Sequence, residues 1–502
     1  MWCRFAHVLA VTVFGAFAQT PCDQVKMLKL AGMVITQAES KAAGPLQSSD
    51  NPAAAAAQML PSYCRVAATL TPTSDSDIKM EVWLPASAAW NGKFEAVGGG
   101  GWAGVISYPA MATALQDGYA TSSTDTGHEA RNADFAVGHP EKVIDFSHRA
   151  VHEMTVGAKA IMTAYYGQGP RLSYWYGCST GGRQGLMEAQ RYPEDFDGIV
   201  AGAPANNYTH LCAWRLALEA AVLKDSARVV PPAKTALLNR AVLAACDSLD
   251  GIKDGLLTDP RKCHFDPSTI LCRGSDRDNC LTAPQVEAVK MAYAPAKTKT
   301  GEVIYPGLVP GGEAGWASLL GAAAAPGALN VEMFRYVAHE DSKWDWRTFD
   351  MDRDTALADQ KAGYMNAMDP DLSAFKARGG KLLMYPGWND GASGGAISPL
   401  NSVNYYSSVL AKMGPEQENW LRLFMVPGMA HCGGGPGPNQ FNALAAIERW
   451  RELGTAPDQM VAAHVTNNRV DMTRPLCPYP QVAVYGGNGS TKDAENFACK
   501  TP

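Results

Sequence analysis

The stretch L-S-Y-W-Y-G-C-S-T-G-G-R-Q-G-L-M-E-A-Q, residues 172 to 190, limits the possible folds of this chain more than any other segment. A β-rich run enters the bend Gly177-Cys178-Ser179-Thr180-Gly181 and leaves as a helix start. The bend fits G-x-S-x-G, the turn in which a strand hands over to a helix and leaves a serine exposed. Glycine on either side removes the Cβ clashes that a sharp elbow would cause. In a chain with 48 glycines the pentapeptide says little by itself, and its flanks give it meaning. The same rhythm recurs. Strand-like runs are I-K-M-E-V-W-L-P from 78, K-F-E-A-V before four glycines, and G-Y-A-T-S-S-T-D. A helical stretch over about 146 to 166 follows, with Ala150, Met154, Val156 and Ile161 among its apolar positions. The rhythm resumes at K-L-L-M-Y (381 to 385) and L-R-L-F-M-V (421 to 426), then the helical N-A-L-A-A-I-E-R-W-R-E-L. Between about 206 and 372 the chain is rich in Gly, Pro, Asp and cysteine, with few alternating strands. The expectation is an α/β fold with a discontinuous core, residues 19–205 and 373–502, and a large inserted lid, residues 206–372. Residues 23 to 60 read as an N-terminal helical cap carrying an alanine run.

At 502 residues, 46% hydrophobic and 18% charged, the chain is neither disordered nor collagen-like and has apolar material for a sizeable core. Its net charge of -6 supplies no basic field, so no nucleic-acid partner is expected. Arg4 and His7 precede the apolar run V-L-A-V-T-V-F-G-A-F-A, which closes on the small-x-small pattern Ala16-Phe17-Ala18. The run is too short to span a bilayer and no second long one follows, so no membrane association is expected. Residues 1–18 therefore read as a signal peptide for a secreted or periplasmic protein, the alternative being a buried N-terminal helix. Once Cys3 leaves with that peptide, eleven cysteines enter an oxidising compartment that favours disulfides. Eleven is odd, so one thiol stays free or pairs outside the chain. Cys212, within L-C-A-W-R-L-A-L, has the setting of an ordinary buried thiol.

A serine hydroxyl becomes nucleophilic only when a base takes its proton, so Ser179 requires a histidine and an orienting carboxylate elsewhere. Asp390 follows the strand K-L-L-M-Y in the loop P-G-W-N-D-G, and His431 follows L-R-L-F-M-V in P-G-M-A-H-C-G-G-G. Both sit just past the C-terminal ends of expected strands, where open parallel sheets build their sites. His128, His148, His152 and His264 have no comparable setting. Cys178 directly precedes the serine and Cys432 directly follows the histidine, so hydrogen-bond reach between serine and histidine would make a disulfide between these cysteines reasonable. Acyl transfer also needs donors for the developing oxyanion. The N–H of Thr180 is one by position, and Gly100 and Gly101 of the run Gly98-Gly99-Gly100-Gly101-Trp102 are candidates for the second. A flexible glycine turn is the plainer reading of that run. The loop C-D-S-L-D-G-I-K-D-G-L, residues 246 to 256, brings Asp247, Asp250 and Asp254 together, and the carbonyls of Ile252 and Leu256 could complete a calcium shell. It is not an EF-hand, and a solvated acidic turn is its alternative. Cys246 and Cys263 could clamp the loop.

Taken together, Y-G-C-S-T-G-G-R-Q-G-L-M-E-A-Q-R-Y-P-E-D-F-D-G-I-V-A-G-A-P-A-N resembles the nucleophile region of the tannase and feruloyl esterase family, which also contains the mono(hydroxyethyl) terephthalate hydrolase of plastic-degrading bacteria. The resemblance continues through D-F-S-H-R-A-V-H-E-M-T, the four-glycine loop, D-G-I-K-D-G, Y-P-G-L-V-P-G-G-E and P-G-M-A-H-C-G-G-G. It implies an α/β-hydrolase core with a lid before the acid-bearing strand, Ser179 as nucleophile, His431 as base and Asp390 as its orienting acid. It implies calcium in the lid, held by Asp247, Asp250, Ile252, Asp254 and Leu256. It also implies the bridges Cys178 to Cys432, Cys22 to Cys64, Cys246 to Cys263, Cys272 to Cys280 and Cys477 to Cys499, leaving Cys212 free. Many relatives begin the acid loop H-G-x-x-D, whereas Pro386 takes the histidine's place here, so the acyl pocket is expected to differ. The expected activity is that of a secreted serine esterase acting on small esters of aromatic carboxylic acids through an acyl-enzyme, with a terephthalate monoester hydrolase as one alternative. A calcium-dependent binding protein without catalysis is the alternative from another class. Trp344, Trp346 and Phe349 of the lid, with Trp388 beside the acid, are expected either to form ring-stacking walls for substrate or to fill the core.

Overall fold

The computed structural model describes residues 20–47, 57–391 and 396–502. The expected signal peptide, residues 1–18, and most of the alanine run lie outside the described residues. Nine strands form one sheet: β1 (Met33–Lys41), β2 (Tyr63–Leu70), β3 (Ile78–Pro85), β4 (Lys93–Val97), β5 (Ala120–Thr124), β6 (Leu172–Cys178), β7 (Gly198–Gly202), β8 (Lys381–Tyr385) and β9 (Leu421–Leu423). Their spatial order is β1-β2-β3-β5-β4-β6-β7-β8-β9, antiparallel from β1 to β5 and parallel beyond. The exchange of β4 and β5 follows from a crossover helix, α1 (Tyr108–Gln116), which returns the chain to the same end of the sheet. Helices α2 (Ala150–Tyr166) and α3 (Thr180–Arg191) pack on one face through Met154, Ile161, Leu186 and Met187. On the other face, α1 and a late helix (Ala443–Leu453) cover Tyr174, Val200 and Tyr385. With both faces covered, the inner strands are buried almost without alternation, as β7 and β8 are.

The register places the site. Val97 pairs with Tyr176, Cys178 with Gly202, and Gly202 with Tyr385. The C-terminal ends of β4, β6, β7 and β8 are therefore level, and the loops that leave them share one edge of the sheet. Between β7 and β8 the chain leaves the sheet for a helical region that begins with α4 (Tyr208–Leu223). That region has its own apolar cluster, which also takes in Trp102, Ala133 and Phe146 from loops of the core.

Two readings of the sequence are corrected. The described residues between 23 and 60 form no helical cap: a short 3-10 turn, Cys22–Met27, precedes β1, whose alternate residues Met33 and Ile35 face the core. Val156 lies on the solvent side of α2 and is 48% exposed. The alternation of β2, buried at every second residue, is a strand signal the sequence carried just beyond the expected cap. Among the described residues no helix is long and apolar enough to cross a membrane.

Next to the antiparallel strands, a buried charge is fully engaged. The Glu81 carboxylate accepts from Arg65 Nε at 2.8 Å, from Trp83 Nε1 at 2.8 Å and from the Tyr108 hydroxyl at 2.9 Å, with a further contact from the Arg65 guanidinium. Removing the cation would strand a carboxylate that is 3% exposed, so Arg65→Ala is expected to cost about 3 kcal/mol of stability. Urea unfolding measures it, and a midpoint unchanged from wild type would contradict the account.

Candidate active site

Ser179 sits between β6 and α3 with φ 64° and ψ -121°, a conformation that L-residues rarely adopt. The bend is held from both sides. Ser179 N–H donates to the Gly202 carbonyl at 3.0 Å, and its own carbonyl accepts from Arg183 and Ala205. The flanking glycines are required by contact. A Cβ on Gly177 would meet the Gly181 carbonyl oxygen at 2.5 Å, and one on Gly182 would meet that of Gly202 at 2.3 Å.

The glycine loop after β4 rests directly on this elbow. A Cβ at Gly98 would lie 2.5 Å from Gly181 Cα. Gly181 N–H donates to the Gly99 carbonyl at 2.9 Å, the Thr180 hydroxyl to that of Gly101 at 2.7 Å, and Ala103 N–H to that of Gly100 at 3.0 Å. Each of these carbonyls is turned toward its donor, so the amide of the same planar peptide unit points the opposite way. The run is thus an ordered loop, and the plainer reading as a flexible turn falls.

The other two chemistry-bearing residues come from the loops after β8 and β9. His431 Nδ1 lies 2.8 Å from Asp390 Oδ2, and Asp390 Oδ1 accepts from Ile397 N–H at 3.1 Å. Asp390 is 2% exposed and cannot rotate away without losing both partners. The bond at Nδ1 leaves Nε2 as the nitrogen free to face a reactant. Ser179, Thr180, Gly100, Gly101 and His431 all line one cavity of about 460 Å³. Cys178 and Cys432 are bonded to each other with Cα atoms 6.0 Å apart, so the residues before the serine and after the histidine are joined. Ser179, Asp390 and His431 are thus brought together as the reading of the strand ends required.

Three of the other named histidines have other occupations, and His264 is exposed. His128 is stacked 3.9 Å from Phe135, and burial pushes its imidazole down to about 4, so it stays neutral. His148 meets the Tyr192 hydroxyl and His152 meets Asp195.

The aromatic walls are corrected. Trp344, Trp346 and Phe349 fill the apolar cluster of the helical region, where Phe349 packs on Phe334 and Trp344 on His339. Trp388 is 2% exposed in the core beneath the sheet, under Arg261. The cavity at Ser179 is walled instead by Ala205, Tyr208, Leu211, Arg215, Leu329 and Ile397. Three of these lie one helical face apart on α4, at 208, 211 and 215, a spacing visible in the sequence. What no local pattern reveals is that α4 leaves β7 at the level of Ser179.

The structure joins Cys22 to Cys64, Cys246 to Cys263, Cys272 to Cys280 and Cys477 to Cys499, and leaves Cys212 a buried thiol. Cys246 and Cys263 close the acidic loop. There Asp247 accepts from Gly255 N–H, Asp250 from Ile252 N–H and the Thr258 hydroxyl, and Asp254 from Leu256 N–H and Arg474. Burial raises the Asp250 carboxyl above its usual range, and the charges of Asp254 and Asp247 add to the rise. The three carboxylates and the carbonyls of Ile252 and Leu256 are hard-oxygen donors of the type calcium takes, but the three carboxylates do not bring ligand oxygens within 4.8 Å of one another, and Arg474 engages one oxygen of Asp254.

The model of the family described as "Tannase and feruloyl esterase" matches residues 64–500. The chain belongs to the tannase and feruloyl esterase family. It is 37% identical to an uncharacterised esterase of Xanthomonas campestris pv. campestris, over 99% of this chain and 94% of that one. It is 34% identical to a probable feruloyl esterase B-2 of Aspergillus terreus, over 90% of each. The crystal structure of feruloyl esterase B from Aspergillus oryzae superposes with a TM-score of 0.87 at 32% identity, covering 95% of this chain and 99% of that one. A tannin acyl hydrolase from Aspergillus niger shares the fold at a TM-score of 0.76 and 24% identity. The core is that of an α/β-hydrolase, and the protein is a carboxylic ester hydrolase with feruloyl esterase and tannase relatives.

In this family member the bond between Cys178 and Cys432 spans 254 residues of sequence, for which the chain-entropy account gives about 5 kcal/mol. The double variant Cys178→Ser, Cys432→Ser is expected to lose both melting temperature and esterase activity. Calorimetry and an esterase assay on the folded protein check this, and no change in either would remove the bond from the site.

Proposed function

We propose that the chain is an exported serine esterase acting on esters of aromatic carboxylic acids through an acyl-enzyme. The observation that carries the reading is the strained Ser179 sharing a cavity with His431, whose Nδ1 is held by buried Asp390. Ser179 Oγ attacks the ester carbonyl while His431 Nε2 takes its proton. Asp390 keeps the imidazole in the right tautomer and offsets the charge it gains. The oxyanion is received by Thr180 N–H, which opens α3 and so has no intrahelical acceptor, and by an amide of Gly100 or Gly101. Collapse breaks the ester C–O bond, and His431 returns its proton to the departing alkoxide. Water then attacks the acyl-serine, losing a proton to His431, and Ser179 regains that proton as the acid leaves. Tyr208, Leu211, Leu329 and Ile397 supply aromatic and apolar walls of the kind a planar acyl group needs.

One observation favours a second reading. Arg215 lines the same cavity, 7% exposed and 3.4 Å from Glu219, so a guanidinium lies within reach of a substrate. A cation there suits an ester with a free carboxylate, such as a terephthalate monoester. Residues 206–372 act as the lid in either case, carrying three cavity walls on α4. Calcium would be held by Asp247, Asp250, Asp254 and the carbonyls of Ile252 and Leu256. It supplies a structural cross-link in the lid and takes no part in the reaction.

The test is hydrolysis of methyl ferulate, methyl gallate, chlorogenate and mono(hydroxyethyl) terephthalate by wild type and by Ser179→Ala in parallel. Turnover of at least one ester by wild type, falling by about a thousandfold or more in the variant, is expected. Activity that survives in Ser179→Ala defeats the mechanism, and wild-type inactivity on all four favours a non-catalytic binding protein. For the lid, stripping with chelator is expected to lower the melting temperature and added calcium to restore it. Protein prepared in calcium that carries none by metal analysis would remove that assignment.

A further inference from the structure

Side chains alternate across a strand, so Glu95 on β4 faces away from Phe94 and Ala96 and lies on the sheet face opposite α2 and α3. There it forms the floor of a cavity of about 380 Å³ between α1 and the helix Ala443–Leu453, with Thr113, Asp117, Tyr176, Phe441 and Asn442 around it. Glu95 is 5% exposed, and among the described residues no cation or hydrogen-bond donor meets its carboxyl. The charges that act on it are those of Asp117 and Glu448, both of its own sign. Lys93, two residues away on the same face, spends its ammonium on Glu448 and Glu452. Glu81, also buried, is met by three donors, whereas Glu95 is met by none of the described residues. A buried carboxyl left without a partner is costly, yet this one faces an open cavity where a ligand could supply what the protein does not.

We propose that this cavity is a second ligand site, which takes a small organic ammonium ion. The cation's N–H groups pair with Glu95 at the floor and Asp117 at the rim, and its carbon skeleton lies against the rings of Tyr176 and Phe441. Aromatic faces beside paired carboxylates attract such a cation through both charge and ring quadrupole. The Ser179 cavity contains neither Glu95 nor Asp117, so the site is independent of the esterase reading. It is still coupled to it by position. Val97 immediately precedes the glycine loop, Tyr176 lies three residues before Ser179, and the Tyr176 hydroxyl is 3.3 Å from that of Tyr385 on β8.

Burial pushes Glu95 up to about 8, so near neutral pH it is largely a neutral acid. The titratable groups facing it are Asp117 past the end of α1, Glu448 on the C-terminal helix, Lys93 on its own strand, and the phenols of Tyr176 and of Tyr119, the latter bonded to Glu448. An arriving ammonium therefore displaces a proton from Glu95 to solvent, leaving a carboxylate paired with the cation.

The experiment is calorimetric titration of the full-length protein with benzylammonium chloride near pH 7, in buffers of different ionisation enthalpy. Saturable binding at one site per chain with net proton release is expected, and benzyl alcohol, the uncharged counterpart, should not bind. Glu95→Gln, which keeps the shape and removes the charge, should weaken binding by about tenfold or more while leaving hydrolysis of a neutral ester unchanged. Ala110→Phe should block the cavity with Glu95 intact, circular dichroism confirming that each variant is folded. The proposal is overturned if the titration shows no saturable binding, which would make this a hydrated cavity only. Binding that persists unchanged in both variants would place the amine elsewhere and overturn it equally.

Discussion

The covalent link between Cys178 and Cys432 is the constraint on which the site's geometry depends, because it ties two loops that the sheet alone only brings near. Strand register levels the ends of β4, β6, β7 and β8, and that levelling sets the loops within a few residues of one another. The loop after β9 is tied to the acid loop by backbone bonds, Trp388 N–H to the Val426 carbonyl and Asn389 N–H to the Met429 carbonyl. The bridge adds a covalent tie from that loop to the serine elbow. Cys432 adopts φ 60°, a left-handed conformation that costs an L-residue about 1 to 3 kcal/mol, and the surrounding structure has to hold it there. Position 179 bears a similar cost with φ 64°. Cys432 at one end of the link and Ser179 next to its other end thus both carry strained backbone, and both residues line the shared cavity.

Close backbone approach is the second constraint, and it explains why glycine clusters at this edge. The Gly98 backbone runs against Gly181, and Gly182 against the carbonyl of Gly202, at separations that leave no space for a methyl group. These contacts let the loop after β4 hydrogen-bond straight onto the elbow. An alanine at Gly98 or Gly182 would have to push main chain aside, since the atoms it meets are backbone. The glycines that matter therefore form a packed interface between two turns, and their positive-φ freedom matters less than their lack of a Cβ.

Much of this was legible in the sequence because the relevant signals are local. The elbow, the strand-end placement of Asp390 and His431, and the pairing of C-S with H-C all read from short segments, and the cores of β3 to β6 and β8 read from periodicity. The failures have a common cause. The run over residues 23 to 60 carries apolar residues compatible with a helix, but β2 offers an unpaired edge, and pairing along it makes residues 33 to 41 a strand. Trp344, Trp346 and Phe349 resemble pocket walls by composition. Which aromatic faces substrate and which fills the core depends on contacts between elements far apart in sequence, and no spacing encodes those. Glu95 escaped notice for the same reason, since a single acid in a strand looks like any solvent-facing residue until both sheet faces prove to be covered.

The helix after β7 shows how one connection joins scaffold to selectivity. Ala205 N–H donates to the Ser179 carbonyl, and three residues later α4 begins. Its first turns place Tyr208, Leu211 and Arg215 in the cavity, while Leu216 and Cys212 hold it in the apolar cluster of the helical region. Glu219, one turn beyond Arg215, accepts from Gly327 N–H at 2.8 Å and from Asn330, which anchors the segment bearing Leu329. The cavity walls are therefore linked to the elbow through backbone hydrogen bonds at one end and to the inserted region through a buried carboxylate at the other. A change in the inserted region has a short route to the walls, and it also reaches the acid loop through Asn389, whose side-chain amide donates to the Gly311 carbonyl, and the elbow helix through Arg183, which donates to the Met365 carbonyl. Pocket shape and triad geometry are therefore supported by the same inserted region.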